Sequence, residues 1–171
     1  MSGQPIIVGD PPRRREFACS AVALQAYVVN ERGEIAMLSS PRRNLPHEWQ
    51  VVSGAMEAAE SLVTGAQRET HEELGAALQV RPLGVFHAAT FHYDSLVRYV
   101  VSIHYLFAYE GGPLVPGDDM ADAQARWWAP DDLVAAGELL HPSTSLDVLR
   151  RAVEIYPLWR DEEIVLQRPL E

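Results

Sequence analysis

The clearest periodicity in the chain lies at 97–109, where Val97, Tyr99, Val101, Ile103, Tyr105, Phe107 and Tyr109 recur at every second position. A period of two marks a strand with one face in a core. The run "FACSAVALQAYVVN" (17–30) is apolar and partly β-branched, which predicts a strand buried on nearly both faces. "ERG" turns the chain into a second strand, "EIAMLSS" (34–40). Two prolines make "PRRNLPHE" (41–48) a loop, and "WQVVSG" (49–54) a short strand ending on glycine. The period changes at Ser61–Leu74, where Val63, Ala66, Thr70 and Leu74 form the apolar stripe of a helix. Ser61 is its N-cap and Gly75 its expected αL terminator. Gly65, inside it, weakens the helix by roughly 1 kcal/mol relative to alanine, so close backbone packing is expected there.

A strand at 79–92 precedes the alternating one, and "EGGPLVPGDDMAD" (110–122) reads as an acidic loop. "AQARWWA" follows as a strand and "PDDLVAAGEL" as a short helix with Pro130 in its first turn. Ser143–Tyr156 is the last predicted helix, stopped by Pro157. This order is mixed α+β, without regular βαβ alternation. It divides the chain into an extended N-terminal arm (1–15), one domain (16–157) and a C-terminal tail (158–171).

Composition narrows the function. A formal charge of −10 would repel a nucleic-acid polymer, and only "RRR" (13–15) and "RR" (42–43) cluster basic charge. All 14 basic residues are arginine, which excludes a lysine nucleophile or Schiff base. Cys19 is the single cysteine, so an intrachain disulfide and a cysteine-based zinc site are excluded. No apolar run approaches a membrane span, and the start of the chain has no secretory pattern. A cytoplasmic location follows as the expectation.

The chemistry concentrates in the predicted helix. "RETHEELG" (68–75) puts Glu69, Glu72 and Glu73 at i, i+3 and i+4, so three like charges share one face. Such crowding destabilises a bare helix, and it makes sense as a platform for a hard divalent cation, which prefers oxygen ligands and bridges carboxylates to phosphates. The wider segment "GAMEAAESLVTGAQRETHEELGA" (54–76) reads G-x5-E-x7-R-E-x-x-E-E-x-G. Its fixed places are Gly54, Glu60, Arg68, Glu69, Glu72, Glu73 and Gly75. Seven such residues coincide by chance at a given position on the order of 10⁻⁸.

This segment resembles the Nudix box of the Nudix hydrolases, departing from the family pattern only where Thr70 and Ala76 replace bulky aliphatic residues. The resemblance implies an α/β/α sandwich around a mixed β-sheet and hydrolysis of a nucleoside diphosphate linked to another moiety, with Mg²⁺ or Mn²⁺ as cofactor. It implies Glu69, Glu72 and Glu73 as metal ligands, with a carbonyl at Ser53 or Gly54 as a further one. Glu69 is either ligand or base, Glu60 a supporting or additional carboxylate, and Arg68 the arginine that fixes the glutamates. A downstream acidic residue joins the site in many members, and Asp118, Asp119 and Asp122 are the candidates.

Arg42 and Arg43 are the candidate phosphate contacts, and Tyr93 resembles a tyrosine of dinucleoside polyphosphate hydrolases. The favoured substrate is a nucleoside triphosphate or dinucleotide. Phe91, His92 and Tyr93 stand where ADP-ribose hydrolases carry a proline. His87 and His92 are read as structural or surface residues. A catalytically silent nucleotide sensor is one alternative. The other is an isopentenyl diphosphate isomerase, which would need a well-placed catalytic cysteine. The expected partner is a small nucleotide, with no membrane, and self-association to a homodimer is left open.

Overall fold

The computed structural model describes residues 6–9, 15–17, 20–92, 99–117 and 120–161. Tyr93, Asp118, Asp119 and Cys19 lie outside them. β1 (Ile6–Val8) and β2 (Arg15–Phe17) pair antiparallel, and β2 extends past the boundary at residue 15 expected for the N-terminal arm. The central sheet is built from β3 (Ala21–Val29), β4 (Ile35–Ser39), β6 (Val52–Ala55), β7 (Gln79–Phe91), β8 (Val100–Gly111) and β9 (Gln124–Trp128). Its strand order is β7-β8-β3-β4-β9, with β6 paired to β3 beyond the end of the β3–β4 ladder. β3 and β8 run parallel and the other pairs antiparallel, so the sheet is mixed. β5 (Glu48–Trp49) and β10 (Leu139–Leu140) form a separate short parallel pair.

Alternation along β3 divides the core. Ala26 and Val28 join Ala66 and Leu74 of α1 (Leu62–Leu74) on one face. Tyr27 and Val29 join Leu133 of α2 (Pro130–Ala135) and Leu149, Ala152 and Tyr156 of α3 (Leu146–Trp159) on the other. Both faces are covered, so β3 reads as a nearly unbroken apolar run, as the sequence predicts. The result is an α/β/α sandwich around a mixed sheet.

Several predicted boundaries are corrected. β3 begins at Ala21 where the sequence predicts a strand from 17, and α2 ends at Ala135 where it predicts a helix to 139. The last helix starts at Leu146, three residues after the expected Ser143, and runs through Pro157 to Trp159. A proline at that place removes only one N–H, and the final turn still closes with the Arg160 N–H donating to the Tyr156 carbonyl. Gly75 ends α1 with φ +115° and ψ +139°, outside the αL region. The reason is a long-range contact: the Val115 N–H donates to the Leu74 carbonyl, and a Cβ at position 75 would stand 2.6 Å from the Val115 oxygen. The acidic loop is thereby tied to the end of the helix.

Beneath β3 and β8 runs a buried polar chain. Gln25 donates to the Ser143 carbonyl at 3.0 Å, and the Tyr27 hydroxyl donates to Gln25 Oε1 at 3.0 Å. His104 Nδ1 lies 3.2 Å from the Tyr27 oxygen and Nε2 lies 3.1 Å from Ser102 Oγ. A neutral imidazole protonated at Nδ1 satisfies this arrangement, because the Tyr27 oxygen can still accept and the Ser102 hydroxyl can donate. Burial, with the His87 ring 4.8 Å away, lowers the His104 pKa to about 4. The unfolded state binds this proton near pH 6.5, whereas the folded state resists it until about pH 4. His104 therefore contributes stability above pH 6.5 that is lost as pH falls through this window. Melting temperatures from pH 7 to 4.5 should fall more steeply for the wild-type chain than for His104→Asn. Parallel curves would contradict the assignment.

Candidate active site

Helix α1 begins where its sequence provides a cap: Ser61 Oγ accepts the Thr64 N–H at 3.2 Å. Gly65, Ala66, Thr70 and Leu74 are buried, so the predicted stripe faces the sheet. Thr70 is fully enclosed, and its hydroxyl donates to the Ala66 carbonyl at 2.7 Å, which removes the penalty of a polar atom in that place. A Cβ at Gly65 would stand 2.6 Å from both Glu60 Oε1 and Leu24 Cδ1. The interior glycine thus makes room for a carboxylate as well as for packing.

Four carboxylates lie along this helix, and one guanidinium ties three of them. Arg68 donates through Nε to Glu60 Oε2 at 3.2 Å and through Nη2 to Glu60 Oε1 at 3.0 Å. Nη2 also reaches the Ala55 carbonyl at 3.0 Å. The remaining Nη1 donates to Glu69 Oε1 at 2.8 Å and to Glu72 Oε2 at 2.9 Å. Arg68 is held strongly in its charged form by these partners, Glu60 first among them. Glu60, which also accepts the Glu57 N–H, has its pKa lowered, chiefly by Arg68.

Glu69 and Glu73 reach inward to β6. A Cβ at Gly54 would overlap the Glu69 carboxylate, so glycine is required there by close approach. Burial raises the Glu69 pKa despite Arg68. Glu73 is 2% exposed and accepts the Ser53 N–H at 3.1 Å, while Arg43 Nη1 stands 3.5 Å from its other oxygen. Desolvation raises its pKa to about 7, outweighing the Ser53 hydrogen bond and the Arg43 charge. Glu72 is the more open carboxylate, with 40% of its side chain exposed.

Glu60, Arg68, Glu69, Glu72, Glu73 and Gly54 therefore form one assembly, as the sequence spacing predicts. Arg43 joins it through Glu73. Arg42 does not reach the glutamates: its Nε pairs with Asp122 Oδ2 at 2.9 Å, and the Asp122 Oδ1 accepts from Ser40 Oγ at 3.2 Å. Of the three downstream aspartates, Asp122 is so engaged and the other two lie outside the described residues. The Ser53 N–H and the Ala55 carbonyl were not legible in the spacing, because backbone groups leave no trace in residue identity. Their signal was only the short strand ending on Gly54.

The donor set suits a hard divalent cation, being all oxygen and negatively charged. Glu69 and Glu72 already stand around one positive centre, Arg68 Nη1. Among the described residues, no three acidic, histidine or cysteine side chains converge as they stand.

Gly54→Ala should displace Glu69 from its seat and lower turnover by about 10²-fold or more, the usual effect of losing a positioned electrostatic group. The fold should persist, because the clash is with one side chain and leaves the backbone ladder to β3 in place. Circular dichroism beside turnover checks both halves of this expectation.

Comparison with known proteins agrees with this geometry. The description "NUDIX domain" matches residues 20–151. The 8-oxo-dGDP phosphatase NUDT18 of Danio rerio is 29% identical over 121 residues, covering 70% of this chain and 34% of that protein. The chain thus spans about a third of that relative's length. A NUDIX hydrolase structure from Nitrosomonas europaea superposes with TM-score 0.62 at 16% identity, covering 88% of this chain and 97% of that one. An ADP-ribose pyrophosphatase from Streptococcus suis superposes with TM-score 0.62 at 18% identity, covering 85% and 96%. The domain match spans most of the chain and includes every residue of the glutamate assembly, and on that ground the chain belongs to the NUDIX family.

Proposed function

We propose that this chain is a divalent-cation-dependent pyrophosphohydrolase that cleaves a phosphoanhydride bond of a small nucleotide. The observation that carries the reading is the seating of Glu69 over Gly54 and of Glu73 on the Ser53 N–H, with Arg68 tying Glu69 to Glu72. Glu69, Glu72 and Glu73 would hold Mg²⁺ or Mn²⁺, which when bound neutralises phosphate charge and acidifies a water. Glu69 would serve either as the third of these ligands or, desolvated and oriented by Arg68, as the base that takes the proton of an attacking water. Arg43 stands beside Glu73 at the edge of the face and is the nearer candidate for a substrate phosphate. Arg42, more exposed and paired with Asp122, is the outer one.

For the substrate, a nucleoside di- or triphosphate is the favoured class. The Danio rerio relative is named as an 8-oxo-dGDP phosphatase, which agrees in chemical class. A dinucleotide rests on Tyr93 alone, which lies outside the described residues. The sensor alternative is disfavoured by the complete glutamate set, and the isomerase by the position of Cys19, far upstream of the box. One copy of the chain carries every residue that the reading uses. No helix among the described residues is long and apolar enough to cross a membrane.

A panel of nucleoside di- and triphosphates, their 8-oxo forms, ADP-ribose and dinucleoside polyphosphates, assayed with Mg²⁺, tests this reading. Turnover of at least one anhydride and its loss in excess chelator are expected. Undiminished turnover in chelator, or silence across the panel, would overturn it.

Glu73 supplies a second test. Its folded pKa of about 7 lies above the unfolded carboxylate range, so the folded chain retains a proton that the unfolded chain releases. That proton stabilises the metal-free fold at acid pH, and the contribution is lost as pH rises through about 7. Glu73→Gln should therefore melt higher than wild type in chelator at pH 8, and the difference should shrink towards pH 4.5. The same variant should lose about 10²–10³-fold in turnover. A variant that melts lower at pH 8 would make Glu73 a structural partner of Arg43 and Ser53 instead.

A further inference from the structure

Arg68 occupies an unusual position between two roles. Its Nε–Nη2 edge is anchored bidentately on Glu60 and on the Ala55 carbonyl. Its other nitrogen, Nη1, is shared between Glu69 and Glu72 at 2.8 and 2.9 Å. Those two carboxylates are among the ones assigned above to the cation, and a carboxylate oxygen closely held by a guanidinium is less available as a ligand.

We propose that Arg68 is a resident counter-cation that competes with the divalent ion for Glu72, and that Glu60 is the positioning residue that draws it aside. This inference rests on reading the glutamate face as a divalent-cation site. In the metal-free chain, Nη1 offsets the repulsion between Glu69 and Glu72. On loading, Arg68 releases Glu72 while Glu60 and the Ala55 carbonyl keep hold of the opposite edge. The exchange needs only that the Glu72 carboxylate turn away from Nη1, because the planar, rigid guanidinium stays where Glu60 and the Ala55 carbonyl hold it. Glu72 is the natural carboxylate to be released, being the most exposed of the four, with 40% of its side chain open against 12% for Glu60 and 14% for Glu69. Glu60 then acts on the metal through Arg68 without touching it.

The test is a double-mutant cycle read as Mn²⁺ affinity by electron paramagnetic resonance, with melting in chelator recorded beside it. Arg68→Gln should tighten Mn²⁺ by about 2- to 5-fold, the size expected from removing a partly exposed ion pair, while lowering the melting temperature without metal. Glu60→Gln should weaken Mn²⁺ in the wild-type background, and the effect should largely vanish when Arg68 is already glutamine. Wild-type chain that binds no Mn²⁺ would refute the cation reading itself. Wild-type binding that Arg68→Gln weakens would refute the competition alone. An equal loss from Glu60→Gln in both backgrounds would make Glu60 a direct ligand. If Arg68→Gln does not fold, the arginine side-chain NMR signals of the wild-type chain decide the matter. Saturating Mg²⁺ should change the Nη1 protons of Arg68 and leave its Nε–H in place, and Nη1 signals unmoved by Mg²⁺ would overturn the proposal.

Discussion

Crowding negative charge on one helix face is the constraint around which this domain is arranged. Glu60, Glu69, Glu72 and Glu73 repel one another, and in a chain of net charge −10 the surroundings offer little relief. Relief comes from a few specific contacts. Arg68 binds three of the four, and Arg43 together with the Ser53 N–H attends the fourth. Each contact demands something of the scaffold. Arg68 must find the Ala55 carbonyl, so β6 must lie against α1. Glu69 must fit over the backbone of β6, so position 54 must lack a Cβ, and Glu60 must tuck beside the helix, so position 65 must as well.

The sheet explains why these demands can be met together. β6 pairs with β3, placing Ser53 opposite Gln25 and Gly54 opposite Leu24. The Leu24 side chain then packs near Gly65 of α1, so the strand that carries the site also supports the helix from below. Gln25 points to the other face and hydrogen bonds to the Ser143 carbonyl, just before α3. One short segment of β3 therefore links α1 and its glutamates on one side with the buried polar chain on the other. Interiors of this kind are close-packed, and a change of one methyl group beneath Gly54 or Gly65 is transmitted to a carboxylate.

Much of this was legible in the sequence because it depends on residue identity at fixed spacing. The i, i+3, i+4 glutamates, the capping Ser61 and the stripe through Ala66, Thr70 and Leu74 follow from helix geometry alone. The strands β3 and β8 were read from apolar content and alternation. What was not legible depends on where the chain returns in space. The left-handed geometry expected at Gly75 gave way to a different positive-φ conformation because Val115, forty residues on, donates to the end of the helix. The helix stop expected at Pro157 came one turn late, since a proline near a C-terminus forfeits little. Arg42 and Arg43 are adjacent and chemically identical, yet one turns to Asp122 and the other to Glu73. A loop of two arginines carries no periodicity from which that divergence could be read.

The box glutamates look equivalent in sequence, and their environments make them unlike. Glu73 is enclosed with one backbone donor and a distant arginine, so desolvation prevails and its proton is retained to about neutral pH. Glu69 is less enclosed and holds a short contact to Arg68, so burial still raises its pKa but against a close counter-charge. Glu72, half in solvent, is the one that can exchange partners at little expense. Separating the affinities of neighbouring carboxylates for protons is how one site supplies both ligands and a base near neutral pH. In this chain depth and local partners act together: burial raises both Glu73 and Glu69, against the Ser53 N–H and Arg43 at the first and against Arg68 at the second.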